Sequence, residues 1–264
     1  FMVVFNFADW INKNIEYSIS TLTAEANQKA SWVLENKQGV CDEITNLFIA
    51  MCRSIGIPPR FLSGISYTNT DHFKSRWGLH GWAEVYFPDY GWVPVDVTYR
   101  QVGFVDPTHI KLKDSFDSDK ASTSFEWKSY DADIKVAHLD NSVSILNQGK
   151  KVDPYIDTEI EFLNDNVKFG SYNLVKVTAK NKKDYYVSSE LSLSKPSQVQ
   201  LKDDRTKLIG LAPKAKKEIF WIVKVQKNLN TDYFYEFPVG ITDSLNNTVL
   251  KIFKSSNNGI TLSK

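Results

Sequence analysis

Three side chains in this sequence have the types and the order of an acyl-transfer site: a thiol at Cys41, an imidazole at His80 and a carboxylate at Asp96. A thiolate attacks carbonyl carbon. An imidazole beside it can take the thiol proton and later return it to a leaving amine, while a carboxylate behind the ring fixes its tautomer and stabilises the imidazolium. Cys41 opens the apolar-patterned run Cys41-Asp42-Glu43-Ile44-Thr45-Asn46-Leu47-Phe48, preceded by Gly39 and closed by Gly56-Ile57-Pro58-Pro59. Such brackets mark the start and stop of a helix. The thiol then sits at a helix N-terminus, where unpaired backbone N–H groups and the macrodipole favour an anion. The same N–H groups can stabilise the oxyanion that forms when a carbonyl is attacked.

The elements that must hold these residues follow from the pattern around them. Ile44, Leu47, Phe48, Met51 and Ile55 gather on one helix face, which predicts burial of this helix against its domain. Cys52 continues that stripe and reads as a small core hydrophobe. On one helix Cys41 and Cys52 would stand roughly 16 Å apart, beyond the reach of a disulfide. Asp42 and Glu43 suit the positive end of the helix dipole, and that alone explains them. After Pro58-Pro59 the sequence alternates, predicting strands over Arg60–Tyr67, Gly78–Phe87 and Gly91–Val97. Pro88-Asp89-Tyr90-Gly91 supplies turn chemistry between the last two, so His80 and Asp96 fall on the arms of one hairpin, within a few residues of facing each other. Upstream, Phe7–Tyr17 carries Phe7, Trp10, Ile11 and Ile15 at helical spacing, and a second helix is expected over Ala24–Glu35. Thr68–Arg76 and Lys111–Ser124 read as loops, the first placed to shape the acyl-donor site, and Phe125–Ile145 as one or two weak strands. His72, His109 and His138 have ordinary explanations as surface or strand histidines. Trp82 and Trp92 flank the strands that carry His80 and Asp96, where they either wall a substrate cleft or pack under the sheet.

A chain of 264 residues, 42% hydrophobic and 13% aromatic, is long for one domain and comfortable for two. Thirty-two basic against 31 acidic side chains leave +1, which removes any whole-chain argument for nucleic acid or an anionic membrane as partner. Phe1-Met2-Val3-Val4-Phe5 is apolar but too short for a membrane span and lacks a basic leader. The compartment expected is secreted or cell-surface, with the targeting region lying outside this chain. Two cysteines without Cys-x-x-Cys or His-x-x-x-His spacing argue against a structural zinc site, and neither a metal nor a cofactor is expected. From Asp153 onward, short β-prone runs at Tyr155–Leu163, Val167–Ala179, Tyr185–Leu193, Lys207–Leu211, Glu218–Gln226, Tyr233–Val239 and Thr248–Phe253 predict a β-sandwich. All four histidines, both cysteines and six of the seven tryptophans precede residue 150, which sets the expected domains at 1–150, carrying the chemistry, and 151–264, the sandwich. Asn246-Asn247-Thr248 fits a glycosylation acceptor, a triplet that also arises by chance.

Taken together, Gly39-Val40-Cys41, the helix ending Gly56-Ile57-Pro58-Pro59-Arg60, the block His80-Gly81-Trp82-Ala83-Glu84-Val85-Tyr86 and the block Gly91-Trp92-Val93-Pro94-Val95-Asp96-Val97-Thr98 resemble the transglutaminase-like cysteine enzyme superfamily over about residues 8–112. The resemblance implies an α+β fold: a papain-like core, with N-terminal helices and a nucleophile helix on an antiparallel sheet. An immunoglobulin-like β-sandwich is expected after it. It implies Cys41 as nucleophile, His80 as general base and acid, Asp96 as the group orienting His80, and Tyr17 as an upstream oxyanion donor. Gly81 stands where the family usually has alanine, and Val97 where proline commonly follows the aspartate; neither change removes a reacting atom. The activity expected is hydrolysis of an amide or isopeptide bond in a protein, peptide or cell-surface polymer through a Cys41 thioester. The alternatives are protein-glutamine gamma-glutamyltransferase cross-linking and, from another class, a non-catalytic binding or scaffold module.

Overall fold

The computed structural model describes residues 1–19, 28–68, 76–118, 130 and 142–263. Two units separate along the chain, Phe1–Lys150 and Lys151–Lys264. The first begins with α1 (Met2–Asn14), β1 (Glu16–Tyr17), α2 (Ala30–Asn36), β2 (Gln38–Gly39) and α3 (Cys41–Ser54). Five strands follow: β3 (Pro59–Tyr67), β4 (Trp77–Phe87), β5 (Gly91–Asp96), β6 (Gln101–Val102) and β7 (Ile110–Ser115). They form an antiparallel sheet in the order β6-β5-β4-β3-β7.

Helix α3 buries Ile44, Leu47, Phe48, Ile49 and Cys52, and it packs on β3 and β4, whose Phe61, Leu62, Ala83 and Val85 are buried. The apolar stripe is rotated from the expected face, since Ile55 is half exposed and Ile49 takes its place inside. Beyond Ile55 the helix stops at Gly56, whose φ of 77° few other residues adopt. Helix α1 starts five residues earlier than the spacing of Phe7, Trp10, Ile11 and Ile15 predicts. Its buried stripe is Val4, Phe5, Ala8 and Ile11, so the short apolar N-terminal run is the first turn of a helix rather than a tail. Helix α2 is shorter than expected, and the expected turn at 24–27 lies outside the described residues. So do His72, His138, most of the loop before His80 and most of the weak strands expected over 125–145.

The segment read as a loop from Lys111 begins as strand β7, paired to β3 with a bulge at Ser63/Gly64. An edge strand buries little, so its residues need no apolar alternation, and charged edge residues discourage further pairing. Lys111 and Asp114 of β7 join Arg60 and Glu84 in a network of ion pairs across β7, β3 and β4, at 2.6 to 3.5 Å.

In the second unit, β8 (Ile156–Phe162), β9 (Asn166–Lys168), β10 (Tyr172–Asn181), β11 (Val187–Ser194), β12 (Val199–Leu201), β13 (Thr206–Leu211), β14 (Lys216–Val225), β15 (Tyr235–Thr242) and β16 (Thr248–Ser256) form two sheets. Their orders are β12-β14-β10-β8 and β13-β11-β15-β16-β9, enclosing Val175, Val177, Leu191, Leu193, Trp221, Val223, Ile241 and Phe253. The run expected as one strand over Val167–Ala179 divides at Gly170, where φ is 79° and the chain leaves β9 for β10. β12 is too short to show as a pattern. Among the described residues no helix is long and apolar enough to cross a membrane.

Candidate active site

Helix α3 starts at Cys41 because Val40 is extended (φ −98°, ψ 179°) and Glu43 reaches back to accept the Val40 N–H at 3.0 Å. The Glu43 carboxylate also accepts the Gln28 N–H at 2.9 Å and is almost wholly buried. Its role is therefore larger than complementing a dipole: it ties the first turn of α3 to the chain that leads into α2. Parallel pairing of β1 with β2 sets Tyr17 beside Gly39, just upstream of the thiol.

Asp42 departs from the sequence reading as well. Its Oδ1 accepts the Cys41 thiol at 3.3 Å. Burial, followed by the charge of Asp42, pushes the Cys41 thiol up, and the Gly81 backbone N–H facing the sulfur offsets only part of this. A carboxylate and an enclosed setting oppose the preference of the helix N-terminus for an anion and favour the protonated sulfur. Cys52 is pushed up to about 12, chiefly by burial, as suits a core residue, and both cysteines are free.

His80 and Asp96 come from the β4–β5 hairpin. Ala83 pairs with Val95, so Asp96 lies one step past that pair, and His80 stands two residues further along β4 than the residue facing it. Alternation puts both on the same side of the sheet. His80 Nε2 lies 2.6 Å from Asp96 Oδ2. Asp96 Oδ1 accepts the N–H groups of Thr98 at 2.8 Å and Tyr99 at 2.9 Å. Burial works to raise the Asp96 carboxyl, but His80, His109 and the Tyr99 N–H together hold it far below the usual carboxylate range. The Tyr99 ring stacks on His80 at 4.7 Å, and its hydroxyl is anchored to Ser66 at 3.1 Å and the Tyr67 carbonyl at 3.3 Å.

Gly81, the residue after His80, is the seat of α3 on the sheet. Thr45 of α3 donates to its carbonyl at 3.2 Å. A Cβ there would meet Asp42 Oδ1 at 2.5 Å and Phe61 Cζ closer still, so glycine is required by close approach. The strand thereby offers the sulfur an N–H at the position adjoining the imidazole.

His109, read from sequence as an ordinary histidine, has a side chain with no exposed surface. Its Nε2 lies 2.9 Å from Asp96 Oδ2 and its Nδ1 3.4 Å from Asp106 Oδ1. Despite burial, those two carboxylates raise it to about 9. Sequence reasoning also passed over Asp106 and Tyr99. Asp-Pro-Thr-His reads as a turn, and Asp106 does accept the Thr108 N–H at 2.8 Å, but nothing local shows that the turn returns to Asp96. His80, Asp96 and His109 are, among the described residues, the group whose donor atoms could hold a metal ion, all within 4.8 Å. Their separations are those of side chains hydrogen-bonded to one another.

The two tryptophans separate. Trp82 is buried between the histidines, its ring 5.9 Å from His80 and 5.2 Å from His109, so it packs beneath the site instead of walling an open cleft. Its indole fits because Gly64 on β3 has no Cβ to meet it. Trp92 pairs with Tyr86, six residues along β4 from His80, roughly 20 Å at about 3.3 Å per residue. It carries the Arg60 guanidinium 4.3 Å above its ring, and the sheet register keeps it away from Cys41. Tyr17 does reach the site's field: its phenol is pushed up by burial first and then by Cys41, Tyr99, Asp42 and Asp96.

Residues 3–97 match the sequence model of the Transglutaminase-like superfamily. This unit has a transglutaminase-like core. A protein of Bacillus subtilis (strain 168) named "Uncharacterized protein YebA" is 29% identical over 125 residues, 42% of this chain and 16% of that one. A solved structure from Cytophaga hutchinsonii, titled a "Putative Cysteine Protease", is 27% identical, covers 45% of this chain and 37% of that chain, and has a TM-score of 0.37. The native alpha-2-macroglobulin of E. coli is 15% identical over 42% of this chain and 7% of that chain, with a TM-score of 0.33. The chain thus spans a minor part of each of these proteins. The transglutaminase-like match ends at residue 97, one residue past Asp96, so it contains Cys41, His80 and Asp96 and stops short of His109.

Proposed function

We propose that this protein is a thiol enzyme that opens amide or isopeptide bonds through a thioester on Cys41, with hydrolysis as the usual outcome. The observation that carries the reading is the 2.6 Å contact of His80 Nε2 with Asp96 Oδ2, on the strand whose next residue faces the Cys41 sulfur. In this scheme His80 takes the Cys41 proton as sulfur attacks the carbonyl, so the site starts from a neutral thiol and His80 supplies the general-base assistance. His80 then protonates the departing amine, and water, deprotonated by the same ring, releases the acid from the thioester. Asp96 holds the ring and stabilises its charged form. The Tyr17 hydroxyl, kept protonated by its surroundings, and the Gly81 N–H serve as donors to the oxyanion. The second unit, of immunoglobulin-like type, would recognise a polymer or space the enzyme from a surface.

Transfer of the acyl group to a lysine amine uses the same residues and differs in what reaches the thioester. A pooled quenched-fluorescent peptide library, read beside dimethylcasein with monodansylcadaverine, separates the two. Peptide cleavage that is absent in Cys41→Ala supports hydrolysis. Dansyl incorporation without cleavage favours cross-linking, and neither signal, with Cys41 no more reactive than Cys52, would leave a binding module.

A further inference from the structure

Asp96 gives one oxygen, Oδ2, to two histidines: His80 at 2.6 Å and His109 at 2.9 Å. The second is held with unusual care. Gln101 pairs with Asp96 in the β5–β6 ladder. Its side chain donates to Asp106 Oδ2 at 2.7 Å and accepts the Asp106 N–H at 2.8 Å. Asp106 in turn faces His109 Nδ1, and His109 returns to Asp96, closing a ring of four side chains that starts and ends on the same pair of strand residues. Burying an imidazole between two carboxylates is costly unless each contact is made, and here each is.

A loop clamp would need no cation pointed at the carboxylate that serves His80. We propose that His109 is a positioning residue for the Cys41–His80–Asp96 site: it fixes the Asp96 carboxylate in the plane His80 requires and, as a donor sharing the oxygen that His80 uses, limits how strongly Asp96 favours a proton on His80. This rests on the functional reading above. Among the described residues, the titratable and charged groups facing His109 are Asp96 from β5, Asp106 from its own turn, His80 from β4 at a ring separation of 5.7 Å and Tyr99 at 5.3 Å, and the Trp82 indole also packs against it. The ring position also gives a reason for His109 to be charged, since both of its nitrogens face acceptors and neither can be satisfied without a proton.

The test is the pH–rate profile for alkylation of Cys41 by iodoacetamide, followed by mass spectrometry of the Cys41 peptide in wild type, His80→Ala, His109→Ala and His109→Gln. Alkylation needs no acyl substrate, so the result does not depend on finding one. Gln reproduces the Nε2 donor without the charge. In His109→Gln the limb of the profile that His80→Ala abolishes should move to higher pH by about one unit, because the donor that shares the Asp96 oxygen is then uncharged. In His109→Ala that limb should shrink, with the rate near neutral pH falling about tenfold as Asp96 loses its orientation. Should His109→Ala fail to fold, the Gln variant decides alone. A profile that His80→Ala changes and His109→Gln leaves in place overturns the role of His109 only. One that His80→Ala leaves unchanged overturns the Cys41–His80 reading and this role with it.

Discussion

The Asp42 carboxylate fills the space that a side chain on Gly81 would occupy, with Oδ1 2.5 Å from where a Cβ would be. Helix α3 and strand β4 therefore meet at a glycine, and the thiol and the imidazole are held in register by what that glycine lacks. Gly81→Ala must displace either Asp42, which is bonded to the thiol, or the buried Phe61 ring. We expect a loss of about 1–3 kcal/mol in urea unfolding, with partial recovery in the double variant Gly81→Ala/Asp42→Ala. Equal stability of wild type and Gly81→Ala would mean that the seat is looser than the geometry indicates.

Asp42 adds to burial in favouring the protonated form of the sulfur. Its charge favours the thiol, so Asp42→Asn should shift the pH dependence of Cys41 alkylation to lower pH, by about one unit, giving roughly tenfold faster labelling near neutrality. Labelling that moves to higher pH, or stays put, would show that burial alone holds the proton.

Tyr17 is half exposed, so its hydroxyl can be removed at little cost to the fold. If it donates to the oxyanion, Tyr17→Phe should lower kcat on the cleaved peptides at least tenfold with KM nearly unchanged. A KM effect at constant kcat would make Tyr17 a substrate contact instead.

Stability should fall at both ends of the pH range, for opposite reasons. His109 is raised from 6.5 to about 9 in the fold, so its contribution is complete below 6.5 and is lost as pH climbs through about 9. Asp96 and Asp106 are depressed, so their contributions are complete above the ordinary carboxylate range and vanish on acidification. Thermal unfolding from pH 6 to pH 10 should show a falling Tm in wild type and a flatter curve in His109→Gln. Parallel slopes would count against a charged His109.

Much of the site was legible from residue types and spacing. The Gly-x-Cys turn, the helix behind it and the hairpin joining His80 to Asp96 are local patterns, and periodicity plus turn chemistry are enough to write them down. What stayed hidden depends on contacts between distant segments. The burial of His109 needs the chain after β6 to fold back onto Asp96, and the thiol's proton depends on Asp42 being pressed against Gly81, 39 positions later in the chain. Trp92 shows how little adjacency in sequence decides: it left open whether the ring walls a cleft or packs under the sheet, and the strand register carries it to the other end of the hairpin from His80. β7 escaped because its alternation, Ile110-Lys111-Leu112-Lys113, is brief and passes at once into polar Asp114-Ser115.

The β4–β5 register has a consequence for how such a chain can change over time. The turn at 88–90 lies at the far end of the hairpin from His80, so residues can be added there without disturbing the chemistry. Between Val93 and Asp96 the freedom disappears. One added residue would reverse the facing of everything after it, swinging Asp96 to the opposite side of the sheet and setting an apolar neighbour against His80. The hairpin is open to growth at its tip and closed to it at its base.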